Sequence, residues 1–131
     1  MAQLGLGTSA DAQNPLAVAG PATLLTHDGA GHQVKVNKAA PGDTASLLFQ
    51  TNWSGRAEMG TAGTDAFSIK VSPDGSNWST ALTARPHGLE APAVVLEPSA
   101  APAAPVAGMI YFDSTSSKLR AYDGAAWHDL F

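Results

Sequence analysis

AFSIKVSPDGSNWSTAL, residues 66–82, reads as two strands joined by a tight turn. Phe67, Ile69 and Val71 alternate with Ser68, Lys70 and Ser72, the period of a half-buried strand. Pro73-Asp74-Gly75 follows. Proline's fixed φ suits the second position of a type I turn, and glycine, lacking a Cβ, suits a left-handed residue after it. The pattern predicts a hairpin loop with a bulge. Trp78 then falls early in the returning strand, where an indole covers its neighbour, with Ile69 or Val71 expected opposite. The device recurs at AYDGAAWHDLF, residues 121–131: Asp123-Gly124, two more residues, then Trp127, with Leu119 or Ala121 expected opposite. Two of the three tryptophans therefore read as hairpin clamps. The alternatives are an acid beside an aromatic in a catalytic site, or an exposed indole on which a sugar stacks.

Working outward, residues 26–84 read as one β domain. HQVKVN (32–37) puts Val34 and Val36 on one face and Lys35 on the other. SLLFQTNW (46–53) is a short apolar run ending at Trp53, and RAEMGTAG (56–63) sets Ala57 and Met59 against Arg56 and Glu58. The breaks HDGAG, APGD, WSG, GTD and SPDG are turn chemistry. Four or five strands at this spacing predict an antiparallel sheet or small sandwich. Residues 1–25 are an attachment or packing segment. Pro15 and Pro21 interrupt it, leaving room for one helical turn near Ser9–Gln13 capped by Thr8 or Ser9. Residues 85–107 form a Pro/Ala-rich connector, in which AVVLE (93–97) is a candidate edge strand. Residues 108–131 read as a three-stranded meander turning at STSS and DGA, with Ile110 and Phe112 on one face and Met109 and Tyr111 on the other.

The fold class is thus all-β, with a composition that is unusual for a self-sufficient domain. Of the 131 residues 44% are hydrophobic, but 25 residues are alanine, leaving 33 larger apolar side chains. Only 14% are charged, against about 25% in ordinary soluble domains. Few core residues and few solubilising charges are both accommodated when identical chains share one interior, so the chain is expected to be an obligate homo-oligomer. The net charge of −4 argues against nucleic acid as a partner, and no apolar run approaches the length of a membrane span. The first fifteen residues lack a basic start and a long apolar run, so no signal peptide is expected. The absence of cysteine removes disulfides and thiolate metal sites.

Catalytic chemistry is not legible. His27 and His32 lie five apart across a glycine-rich loop, not at a spacing that aims two imidazoles at one metal from a regular element. GLGTS and GAGH do not link a strong strand to a helix, as a phosphate cradle requires. There is no G-x-S-x-G nucleophile elbow. Asp11, Asp28, Asp43, Asp65, Asp74 and Asp123 lie in turn-like contexts, where a carboxylate bonds the local backbone. No enzymatic activity, cofactor or resident metal is expected.

HQVKVNKA (32–39), GDTASLLFQT (42–51), SGRAEMG (54–60) and FSIKVSPDGSNW (67–78) carry a resemblance. They resemble the C-terminal part of a family of uncharacterised, tail-fibre-like proteins of alphaproteobacterial phages, prophages and gene transfer agents. GMIYFDSTSSKLRAYDGAAWHDL (108–130) is similar to a second module found at the ends of many phage tail and surface fibres. The resemblance implies a fibre or spike component of the virion, assembled as an intertwined homotrimer. Other tail or capsid proteins would then be its partners, and its exposed loops would contact host surface polysaccharide. Longer members of the family carry a large N-terminal domain before the GLGTSADA segment. Loops held by a rigid scaffold are where binding residues concentrate. On that ground the candidate contacts are Asp28, His32, Asn52, Trp53, Arg56, Asn77, Trp78, Trp127 and His128. The rival roles are a capsid decoration or fibre-to-baseplate connector, and a capsule depolymerase.

Overall fold

The computed structural model describes residues 1–131. It contains ten strands and no helix. The chain divides into two compact units, Met1–Asn37 and Lys38–Phe131.

In the first unit β1 (Leu4–Leu6) and β2 (Leu16–Val18) pair in parallel, Leu4 opposite Leu16. The helical turn expected near Ser9–Gln13 is not formed. Asp11 Oδ1 instead accepts the N–H groups of Gln13 and Asn14 at 2.8 and 2.7 Å. A side chain thus takes donors that a helix would leave to the main chain, and Pro15 ends the segment. HQVKVN is not a strand either, because alternation creates two faces but only a partner's backbone creates a strand. No main-chain group of residues 20–37 bonds another main-chain group.

In the second unit β3 (Thr44–Thr51), β4 (Ser54–Ala62), β5 (Phe67–Val71), β6 (Ser79–Arg85) and β7 (Gly88–Glu90) form one antiparallel sheet in chain order. Chain order follows from the short hairpin turns between successive strands. β7 falls within the span expected as connector, and AVVLE forms no strand. Ser99 bridges instead to the first strand of the meander: its N–H donates to Phe112 O at 2.9 Å, and its carbonyl accepts from Ser114 N at 2.9 Å. The meander itself is β8 (Ile110–Asp113), β9 (Lys118–Tyr122) and β10 (Trp127–Asp129), antiparallel with β9 central.

The register sorts the side chains of the five-stranded sheet. Residues opposite one another share a face. Leu47, Met59, Ile69 and Leu82 form one cross-strand row, and Phe49, Ala57, Val71 and Ser79 the next. Phe67, Ala84 and Leu89 continue the same side, whose paired residues carry no charge. The reverse side holds Ser46, Leu48, Glu58, Ser68, Lys70, Thr80 and Thr83, with Glu58 opposite Lys70. Two bulges interrupt the ladders, one placing Arg56 between paired neighbours and one placing Ala81 there.

No strand stacks on the apolar side. No strand of the meander contacts the five-stranded sheet, so the unit is a single layer rather than a sandwich. Leu47, Phe49, Phe67, Val71 and Leu89 are exposed, and the only buried apolar side chains are Ala62 and Tyr111. A one-layer sheet buries little on either face, and stable domains need a second layer.

Candidate functional site

Antiparallel order brings the β3–β4 and β5–β6 turns to the same end of the sheet. The β3–β4 connection is two residues, Asn52 and Trp53, both left-handed at φ 46° and 68°. Such a turn matches the right-handed twist of the strands and ordinarily reads Asn-Gly. A tryptophan in the glycine position is strained, because its Cβ crowds the backbone. Its indole is 87% exposed. Gln50 Nε2 donates to Trp53 O at 3.1 Å and braces the tip from the outgoing strand. Gln50, Asn52 and Trp53 together line a shallow depression of about 460 Å³.

The β5–β6 loop is built by Asp74. Its Oδ1 accepts Ser76 N and Asn77 N, both at 2.8 Å, and its Oδ2 accepts Asn77 Nδ2 at 2.6 Å. These bonds, the Asn77 N–H first and Ser76 N–H next, hold the Asp74 carboxyl far below the usual carboxylate range. Gly75 is left-handed at φ 86°. Ser54 Oγ donates to Asp74 O at 3.1 Å and ties this loop to the neighbouring hairpin tip.

Trp78 does not lie over Ile69 or Val71. It lies on the reverse side of the sheet, against Gly55 of β4 and beside Leu48. Its Nε1–H donates to Gly75 O at 3.3 Å. Strand β6 begins at Ser79, opposite Val71, so the preceding residue turns to the other face and reaches one strand further in. Arg56 is likewise turned inward: Nη1 donates to Ser54 Oγ at 2.6 Å and to Gly55 O at 2.9 Å.

In the meander Asp123 repeats the turn. Its Oδ1 accepts Ala125 N and Ala126 N, both at 2.7 Å, and its Oδ2 meets His128 Nε2 at 2.7 Å. Those bonds, Ala126 N–H foremost, pull its carboxyl down to about 2. Gly124 is left-handed at φ 105°. Trp127 pairs with Tyr122, and its ring packs edge-on against Tyr111 at 4.6 Å and lies tilted to the Tyr122 ring at 5.1 Å. Its partners are therefore two tyrosines, not Leu119 or Ala121. The edge-on arrangement suits the charge distribution of aromatic rings.

The structure thus brings Asn52, Trp53, Arg56, Asn77 and Trp78 to one end of the five-stranded sheet. Trp127 and His128 belong to the meander, and Asp28 and His32 to the first unit. Gln50 is a further residue at the tip. Its signal in the sequence is position: three residues before Trp53 across a two-residue turn, its amide faces the turn's carbonyl. At this end an exposed indole stands among uncharged amides and hydroxyls, while the adjacent guanidinium and carboxylate are spent on internal bonds. Such a surface offers stacking and neutral hydrogen bonds to a hydroxylated ligand. No protein-family model, curated protein or solved structure matches the chain.

Proposed function

We propose that this chain is a non-enzymatic, self-assembling structural protein of a phage or gene transfer agent particle. It works as a homotrimeric fibre or spike whose hairpin tips attach to host surface polysaccharide. The observation that carries the reading is the uncharged side of the β3–β7 sheet. It presents Leu47, Phe49, Phe67, Val71 and Leu89 to solvent with no second layer over them. Copies of the same chain are the partner that turns a single layer into an interior. The β3–β4 tip then provides the adhesive contact: Trp53 stacks on a sugar ring, and Gln50 and Asn52 bond its hydroxyls. Single contacts of this kind are weak, and several copies on one particle multiply them.

Light scattering of the full chain at micromolar concentration tests the assembly: three masses per particle are expected, and a stable monomer defeats the reading. A glycan array probed with the isolated oligomer tests adhesion. Binding that disappears in Trp53→Ala without loss of assembly supports it. An assembled particle that binds no glycan points to a decoration or connector instead. Release of reducing sugar from purified capsule would make it a depolymerase.

A further inference from the structure

The five-stranded sheet ends in two edges that differ in kind. Exposed edges invite pairing with other chains, and proteins blunt them with short strands, charges or proline. The β7 edge is three residues long, follows Pro86 and is flanked by the Arg85–Glu90 ion pair at 2.8 Å. The β3 edge has none of these protections. It runs eight residues without charge or proline, and pairs only with β4. Elsewhere the same chain holds a segment with the opposite need. Residues 32–37 carry a strand's alternation, yet they bond no main-chain partner, and Val34 and Val36 are exposed.

We infer that residues 32–37 of one copy add as a strand to the β3 edge of the next copy. The inference rests on the self-assembly reading and specifies its contact. Side-chain parity supports the fit. With Val34 and Val36 on the side of Leu47 and Phe49, the apolar face extends by one strand, while Lys35 joins the polar side that already carries Glu58 and Lys70. A shift of one residue would put Lys35 on the uncharged face, so only one of the two facings is compatible with burial. The occupant is another copy of this chain because residues 32–37 bond no main-chain partner of their own and have the side-chain parity that the β3 edge needs; residues 38–43 link the segment to β3. Those residues are occupied in a turn of their own, with Asp43 N donating to Ala40 O at 3.0 Å. Each copy gives one strand and accepts one, and such head-to-tail exchange closes into a ring when the rotation allows. Backbone pairing of this kind is strand addition.

The chain contains no cysteine, so engineered pairs report without background. Full-length Val34→Cys chains are co-folded separately with Ala45→Cys, Leu47→Cys or Phe49→Cys chains. Each mixture is oxidised mildly and run on a non-reducing gel beside light scattering. A mixed disulfide is expected from the native oligomer in at least one mixture, since facing strand residues meet disulfide geometry. It should be lost when the mixture is denatured before oxidation. An oligomer with no mixed disulfide in any of the three overturns the strand exchange and leaves self-assembly standing. A monomer overturns both. A chain carrying both Val34→Cys and Leu47→Cys that closes only on itself, within one chain, overturns the exchange as well.

Discussion

The indole of Trp78 covers Gly55 so closely that a Cβ at position 55 would sit 2.7 Å from its Cζ2. The contact joins β4 to the residue just before β6, across the intervening β5, and so ties three strands at the end of the sheet that carries the β3–β4 turn. Gly55→Ala forces the ring outward. It is expected to lower stability by about 1–2 kcal/mol, the usual range for overpacking. Urea unfolding followed by tryptophan fluorescence checks this, and a native emission maximum unchanged from the parent chain would show the ring had not moved.

Trp53 predicts effects of opposite sign on fold and function. Its left-handed backbone is one that glycine adopts freely. Trp53→Gly restores the ordinary Asn-Gly turn and is expected to raise stability by about 0.5–1 kcal/mol, after the extra freedom of glycine in the unfolded chain is subtracted. If Trp53 serves the proposed attachment, the same change is expected to abolish glycan binding. Thermal melts and a glycan array read the two effects separately. A loss of stability would mean that the indole is covered in the assembled protein.

Asp74 and Asp123 tie their loops to acid sensitivity. Both carboxyls are held below their ordinary value in the folded chain. Their stabilisation is therefore complete above the unfolded pKa near 4, and is lost as pH falls through the folded value. For Asp123 the window runs from near 4 down to about 2. Asp74→Asn and Asp123→Asn keep an oxygen acceptor but not the charge. Each is expected to flatten the fall in melting temperature between pH 4 and 2 while leaving the turn in place. Unchanged acid slopes in both variants would remove these carboxylates from the account.

The two Asp-Gly turns also differ in their tolerance. A Cβ on Gly75 would run into Ser54 Oγ, whereas one on Gly124 would meet only the Ala107 methyl, at 3.4 Å. Both glycines are left-handed, so either alanine costs about 1–2 kcal/mol in backbone strain. Gly75→Ala is expected to cost more, because it also pushes apart the Ser54–Asp74 tie. Chemical unfolding of the two variants side by side gives the order, and a larger loss at position 124 would contradict it.

Lys38 anchors the start of the second unit. Its ammonium donates to Pro41 O at 3.0 Å and Thr64 O at 2.7 Å, and pairs with Asp65 at 3.0 Å. Lys38→Met removes these charge-assisted bonds and is expected to cost about 1–3 kcal/mol. Hydrogen exchange at residues 61–65 should rise, and protection there equal to the parent's would show that the ammonium is dispensable.

The sequence by itself determined the all-β class, the central hairpin and the C-terminal meander. Alternation over 67–71 and the Pro-Asp-Gly run made the central hairpin legible, and STSS with Asp-Gly did the same for the meander. Each of these signals is written between neighbours along the chain, where φ limits and side-chain-to-backbone bonds act. Tertiary structure alone decided what those strands meet. Trp78 found Gly55 rather than Ile69 or Val71, and Trp127 found Tyr111 and Tyr122, because a bulge or a one-residue offset turns a side chain to the other face. Val34 and Val36 alternate as a strand should, but a strand exists only where another backbone supplies its hydrogen bonds. The uncharged side of the β3–β7 sheet follows the same logic, since composition records too few bulky residues while only the pairing register gathers them onto one face and leaves that face uncovered.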